Sequence, residues 1–103
     1  MTTYLIEAYI AGEDVADLRD RARAASAAMS DEGHVICYIR SMLVPADETC
    51  FHLFDAVSAE TVAELARRAE LRYERIVEAE EYRSERTEWR KAHVFDDLKG
   101  GFQ

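Results

Sequence analysis

Proline, glycine and cysteine are scarce in this chain of 103 residues, which has one proline, four glycines and two cysteines. The low proline and glycine content excludes a flexible linker and a fibrous repeat. Two cysteines, Cys37 and Cys50, are too few for the disulfide framework of a small secreted domain. We therefore expect a reduced, cytoplasmic protein.

Long apolar runs and an excess of basic charge are also missing. No segment approaches the ~20 apolar residues that span a bilayer, and the N-terminus lacks the basic and apolar stretches of a signal peptide. Acidic residues outnumber basic ones 21 to 13, for a formal net charge of −8. This field repels phosphate backbones and anionic lipid, so we expect neither a nucleic-acid nor a membrane partner.

The residues that are present predict a single globular domain of alternating strands and helices. The chain is 49% hydrophobic and 33% charged, and its length suits one core. We predict strands over residues 3–10, 34–44, 49–55 and 75–79, and helices over 14–31 and from Ser58. This order is the ferredoxin-like βαββαβ pattern, an α+β fold with one antiparallel sheet and both helices on one face.

The chain continues beyond the last predicted strand. We predict a ferredoxin-like domain over residues 1–80 and a C-terminal helical extension over 81–103, with Ser84 as a candidate helix cap. Two alternatives remain for the extension. It is an exposed helical tail, or Trp89, Val94 and Phe95 pack on a partner subunit.

The alternation of side chains along the predicted strands indicates self-association. Successive strand residues point to opposite faces, and a sheet covered on one side only should be polar on the other. Here neither face is polar throughout: in the first strand Leu5 and Tyr9 oppose Ile6 and Ala8. We therefore predict a homodimer, a dimeric α+β barrel in which two sheets stack.

Polar residues inside strands are the candidate functional groups, because a buried polar group needs a partner. They are Glu7, Arg40, Ser41 and His52. If Val44 and Thr49 flank the turn, pairing along the hairpin places Arg40 opposite Leu53 and Ser41 opposite His52.

This register also places Arg40 on one face with Tyr38, Met42 and Asp55. One interpretation is an internal ion pair of Arg40 with Glu7 or Asp55. The other is a ligand-binding pocket between two sheets, lined by Tyr38, Arg40 and Asp55 and holding a small molecule.

Histidines and cysteines have a spacing that suggests metal ligands, H-x2-C at His34 and Cys37 and C-x-H at Cys50 and His52. The predicted register separates the two cysteines by about 20 Å, which excludes one coordination sphere and an intrachain disulfide. Cys50 and His52 share a face and could contribute to a metal site together. No motif for a reaction is present, so the residues leave open whether the protein is an enzyme.

Five segments resemble a known family. They are Y-L-I-E at Tyr4–Glu7, R-S-M-L-V at Arg40–Val44, F-H-L-F-D-A-V-S at Phe51–Ser58, E-L-A-R-R-A at Glu64–Ala69 and R-I-V-E-A at Arg75–Ala79. Together they are similar to the small actinobacterial nickel-binding proteins of ferredoxin-like fold. The resemblance implies a dimer and, for some members, bound nickel.

The same resemblance marks Glu7 and His52 as candidate metal ligands. Two positions where the family pattern has histidine hold Arg40 and Leu65, and His52 stands where it tends to have cysteine. Replacing imidazole by guanidinium removes a metal-binding lone pair. The first hypothesis is therefore a small dimeric binding protein with weakened nickel binding. The alternatives are a dimeric α+β barrel enzyme or carrier of a small apolar ligand, and an interaction protein without a ligand.

Overall fold

The computed structural model describes residues 1–82, which contain four strands and two α-helices. Their bounds are β1 Thr2–Tyr9, α1 Val15–Asp31, β2 Ile36–Val44, β3 Thr49–Ala56, α2 Ala59–Arg68 and β4 Tyr73–Glu78, with a 3₁₀ turn at Pro45–Asp47. The βαββαβ order confirms the predicted ferredoxin-like α+β fold. The predicted helix in the C-terminal extension, with Ser84 and Trp89, lies outside the described residues.

The four strands form one antiparallel sheet in the order β2-β3-β1-β4. Both helices pack on one face, so a single core lies between the helices and the sheet. The largest fully buried side chains on the two layers are Ile6, Cys50, His52 and Phe54 from the strands and Leu18, Met29, Val62 and Leu65 from the helices. The second helix begins at a capping serine, Ser58, whose hydroxyl accepts a hydrogen bond from the backbone N–H of Thr61.

The β2–β3 hairpin has the predicted register near its turn. Val44 lies opposite Thr49, Arg40 opposite Leu53 and Ser41 opposite His52. Beyond Arg40 the pairing shifts, because one extra residue, Ile39, is inserted as a β-bulge.

The bulge changes which side chains enter the core. Tyr38 lies opposite Phe54, and their rings meet edge to face with centroids 5.5 Å apart. The expectation that Tyr38 shares a face with Arg40 is therefore wrong. A regular strand would have kept the two residues on one side, whereas the extra residue turns Tyr38 toward the helices.

The face of the sheet that points away from the helices is called the open face below. Its side chains alternate with the core residues along each strand. They are Thr3, Leu5, Glu7, Tyr9, Cys37, Arg40, Met42, Val44, Thr49, Phe51, Leu53, Asp55, Arg75 and Val77. About half of them are apolar, as the sequence predicted for an uncovered face. Neither helix within residues 1–82 has the length and apolar character needed to cross a bilayer.

Candidate functional site

The polar groups of the open face are arranged in pairs. The Arg75 guanidinium donates to the Glu7 carboxylate at 2.6 Å, and the Thr3 hydroxyl donates to Asp55 at 2.6 Å. Arg40 donates to the carboxylate of Glu81, which follows β4. The expected ion pair of Arg40 with Glu7 or Asp55 is therefore wrong, because each of those carboxylates has a closer partner on a neighbouring strand.

An apolar strip runs between these pairs across the three strands β1, β3 and β2. Leu5 lies opposite Leu53, and Phe51 lies opposite Met42. Exposure differs sharply along the strip, since Leu53 is 4% exposed and Met42 is 51% exposed. Tyr9, at the same end as Met42, is 45% exposed. The strip is therefore shielded at one end and open at the other.

A second polar cluster lies on the opposite side of the sheet, against the helices. The Tyr38 hydroxyl is 2.7 Å from the Ser41 hydroxyl, which is 2.6 Å from Nδ1 of His52. His52 is fully buried, and its Nε2 has no hydrogen-bond partner. Burial lowers the pKa of His52 to about 4, because the charged imidazolium loses its hydration there. The imidazole is therefore neutral at pH 7.

The two cysteines lie in different environments, and both are free thiols. Cys50 lies on the helix side and is fully buried, and burial raises the pKa of its thiol. Cys37 lies opposite Asp55 on the open face and is exposed. Cys50 and His52 share the helix side, as predicted, but the core encloses both.

The predicted metal ligands Glu7 and His52 are not brought together. His52 lies opposite Ile6, and Glu7 lies opposite Phe51, so the two side chains leave opposite faces of the sheet. Within residues 1–82, no group of three or more His, Cys, Asp or Glu side chains is placed to hold a metal ion. The described residues of one copy therefore do not fit a nickel site.

Sequence reasoning missed the Tyr38–Ser41–His52 chain and the Arg40–Glu81 pair. The Tyr38–Ser41–His52 chain depends on the bulge at Ile39. The sequence does not indicate this bulge, because β2 places apolar side chains in the core with it or without it. The Arg40–Glu81 pair joins residues 41 positions apart. Neither contact has a local sequence signal, although the pairing of Ser41 with His52 followed from counting back from the turn.

Together, the fold and the open face define a small α+β protein of the ferredoxin-like class, in which both helices of residues 1–82 lie on one face of the sheet. The chain belongs to the SCO4226-like family: the model of the family described as "Nickel responsive protein SCO4226-like" matches residues 4–79. This confirms the resemblance to nickel-associated proteins seen in the sequence.

A solved structure shares the fold. It is the crystal structure of SCO4226 from Streptomyces coelicolor A3(2), with a TM-score of 0.61 and 21% sequence identity. The similarity covers 79% of this chain and 99% of that one. At this identity the comparison shows the fold alone. No curated protein matches the sequence.

Proposed function

We propose that this protein is a small homodimeric binding protein whose two copies stack through their open faces. The observation that carries the proposal is the apolar strip of Leu5, Leu53, Phe51 and Met42 on the side of the sheet opposite α1 and α2. An apolar strip of this kind on a single sheet face is typical of an interaction surface.

The size of the open face supports self-association. Four strands about 4.8 Å apart and about eight residues long cover roughly 500 Å² in projection, and side-chain relief brings the accessible area close to the roughly 800 Å² per partner of a standard interface. Burial of the exposed apolar side chains of this face, at about 25 cal/mol per Å², favours association, and association costs of about 4–15 kcal/mol oppose it.

A chamber between the stacked sheets is the second candidate function, because charged groups lie beside the strip. Of the predicted ligand-binding set, Arg40 and Asp55 are on the open face, whereas Tyr38 is on the helix side. Arg40 would suit the anionic group of a small molecule whose apolar body contacts the strip. The occupied chamber would make the dimer a carrier.

The only link between nickel and this proposal is the description of the family. Because residues 1–82 of one copy do not fit a metal site, the proposed binding function rests on the open face and not on a metal. This agrees with the replacement of two family histidines by Arg40 and Leu65.

The mass of the protein in solution tests the proposal. Each chain has a mass of 11.8 kDa, and we expect light scattering to give twice this value at micromolar concentrations. Met42→Lys places a charge on the strip and should raise the dimer Kd at least tenfold. Val57→Lys is the matched control, because Val57 is 62% exposed and lies beyond the end of β3. A monomer at 100 μM, or equal effects of the two variants, would refute the proposal.

A further inference from the structure

The chain after β4 turns over the open face of its own copy. The Ala79 backbone N–H donates to the carbonyl of Thr3 at 2.9 Å, which holds the start of this segment beside β1. Two residues later, the Glu81 carboxylate accepts a hydrogen bond from Arg40 on β2. Residues 79–82 are called the strap below.

The strap contact joins the two opposite edges of the sheet. In the order β2-β3-β1-β4, Arg40 is on one edge strand and the strap leaves the other. Three strand spacings separate these edges, about 14 Å. Because Arg40 lies on the open face, its contact with Glu81 requires the chain after β4 to pass along this side of the sheet.

The exposure of the open face agrees with this position. Leu53, on the middle strand β3 and directly opposite Arg40, is only 4% exposed although neither helix of residues 1–82 covers this face. Met42 and Tyr9, at the far end of the strip from the strap, are 51% and 45% exposed. The strap end of the strip is therefore shielded and the other end is free.

We propose that the strap is an intramolecular brake on pairing of the two copies: it closes over one half of the open face and opens when the sheets stack. This inference rests on the proposed function. With the strap closed, roughly 250 Å² of sheet remains in projection, which is too little for a standard interface. Opening the strap makes the whole face available.

The strength of the strap contact suits a reversible device. The side chains of Arg40 and Glu81 are 49% and 18% exposed, and an ion pair in contact with solvent contributes little free energy. The strap therefore closes on the monomer without preventing the larger apolar contact between two sheets. Its effect is to shift the dimer Kd, which makes pairing sensitive to any change at Arg40 or Glu81.

Neutralising the strap carboxylate tests the brake. Glu81→Gln removes the ion pair, and we expect the dimer Kd measured by sedimentation equilibrium to fall about fivefold. Glu80→Gln is the matched control, because it removes the same charge from the exposed neighbouring residue. We expect this control to stay within twofold of the unchanged chain. An unchanged or higher Kd for Glu81→Gln, with the unchanged chain dimeric, overturns the brake but leaves the proposed function intact.

The strap is also measurable without a dimer. In dilute monomer, the Nε–Hε NMR resonance of Arg40 should shift in Glu81→Gln and not in Glu80→Gln. If neither the unchanged chain nor Glu81→Gln dimerises, the proposed function fails, and with it the brake. A shift of this resonance would then show that the strap contact itself exists, and identical Arg40 resonances in all three chains would show that it does not.

Discussion

His52 is a titratable residue with no exposed surface. It is enclosed between the sheet and the helices, with one hydrogen bond to Ser41 and a second ring nitrogen without a partner. A neutral imidazole tolerates this environment, because only its charged form needs the lost hydration. The residue therefore ties the stability of the fold to pH.

Stability should fall as the pH drops below neutrality. The folded-state pKa of His52 is about 4 and lies below its usual 6.5, so between these values the unfolded chain binds more protons. The free energy of unfolding is unaffected above pH 6.5, decreases from there to pH 4, and levels off below. We expect a loss of about 2 kcal/mol between pH 7.5 and 5, measured by urea denaturation.

The control for this prediction is His52→Asn, whose side-chain amide can replace Nδ1 toward Ser41 but does not titrate in this range. The unfolding free energy of this variant should be nearly flat between pH 7.5 and 5. An equally steep loss in the variant would assign the pH dependence to other groups.

A single nickel ion should not use both of the residues that the sequence suggested as ligands. Glu7 and His52 project from opposite faces of the sheet, so one ion cannot contact both in one copy. For the full chain without a histidine tag, titration calorimetry with NiCl₂ should show a lower affinity than the unchanged chain in at most one of the variants Glu7→Gln and His52→Asn. A tenfold loss of nickel affinity in both variants would contradict this placement.

Among the elements, the β2 strand determines how the sheet divides its side chains between the two faces. Hairpin counting from the turn correctly predicted the pairs Arg40–Leu53 and Ser41–His52, because the turn residues are recognisable. It was wrong beyond them, where the bulge at Ile39 reverses the alternation. The bulge contains no glycine and leaves apolar side chains on both faces, so a single sequence offers no signal for it.

Deleting the bulged residue should be tolerated. In the Ile39 deletion, Tyr38 and Arg40 become neighbours and keep their partners Phe54 and Leu53 in a regular ladder. The loss of one half-buried isoleucine should cost about 1 kcal/mol in urea unfolding.

The matched deletion is Met42, in the same strand but on the other side of the bulge. To keep both flanks paired, this deletion would move Arg40 to the core position opposite His52, which buries a charge without a partner. We expect this variant not to fold cooperatively. If both deletions lowered the free energy of unfolding equally, the bulge at Ile39 would not explain the register shift between Tyr38 and Arg40.

For the molecule as a whole, stacking of two sheets makes stability depend on concentration. A dimer that unfolds to two chains gains stability by mass action, so its Tm should rise by about 3 °C for each tenfold increase in protein concentration. Scanning calorimetry from 5 to 500 μM measures this. The Met42→Lys variant should show a weaker dependence of Tm on concentration. A Tm independent of concentration in the unchanged chain would argue against the dimer.

The sequence by itself determined the order of the described elements and the ferredoxin-like architecture. These follow from local signals, namely apolar periodicity, a proline turn and capping residues, each of which acts over a few positions. The family resemblance also rested on local signals, the short motifs of the strands and helices. The family match over residues 4–79 confirms this resemblance.

Only the tertiary structure decided where the candidate groups meet. It separated Glu7 from His52 by the thickness of the sheet, turned Tyr38 into the core and joined Arg40 to Glu81 across the open face. Such contacts depend on long-range pairing, in which one inserted residue exchanges the two faces of a strand. The spacing of residues along the chain does not indicate which face of the sheet each side chain takes.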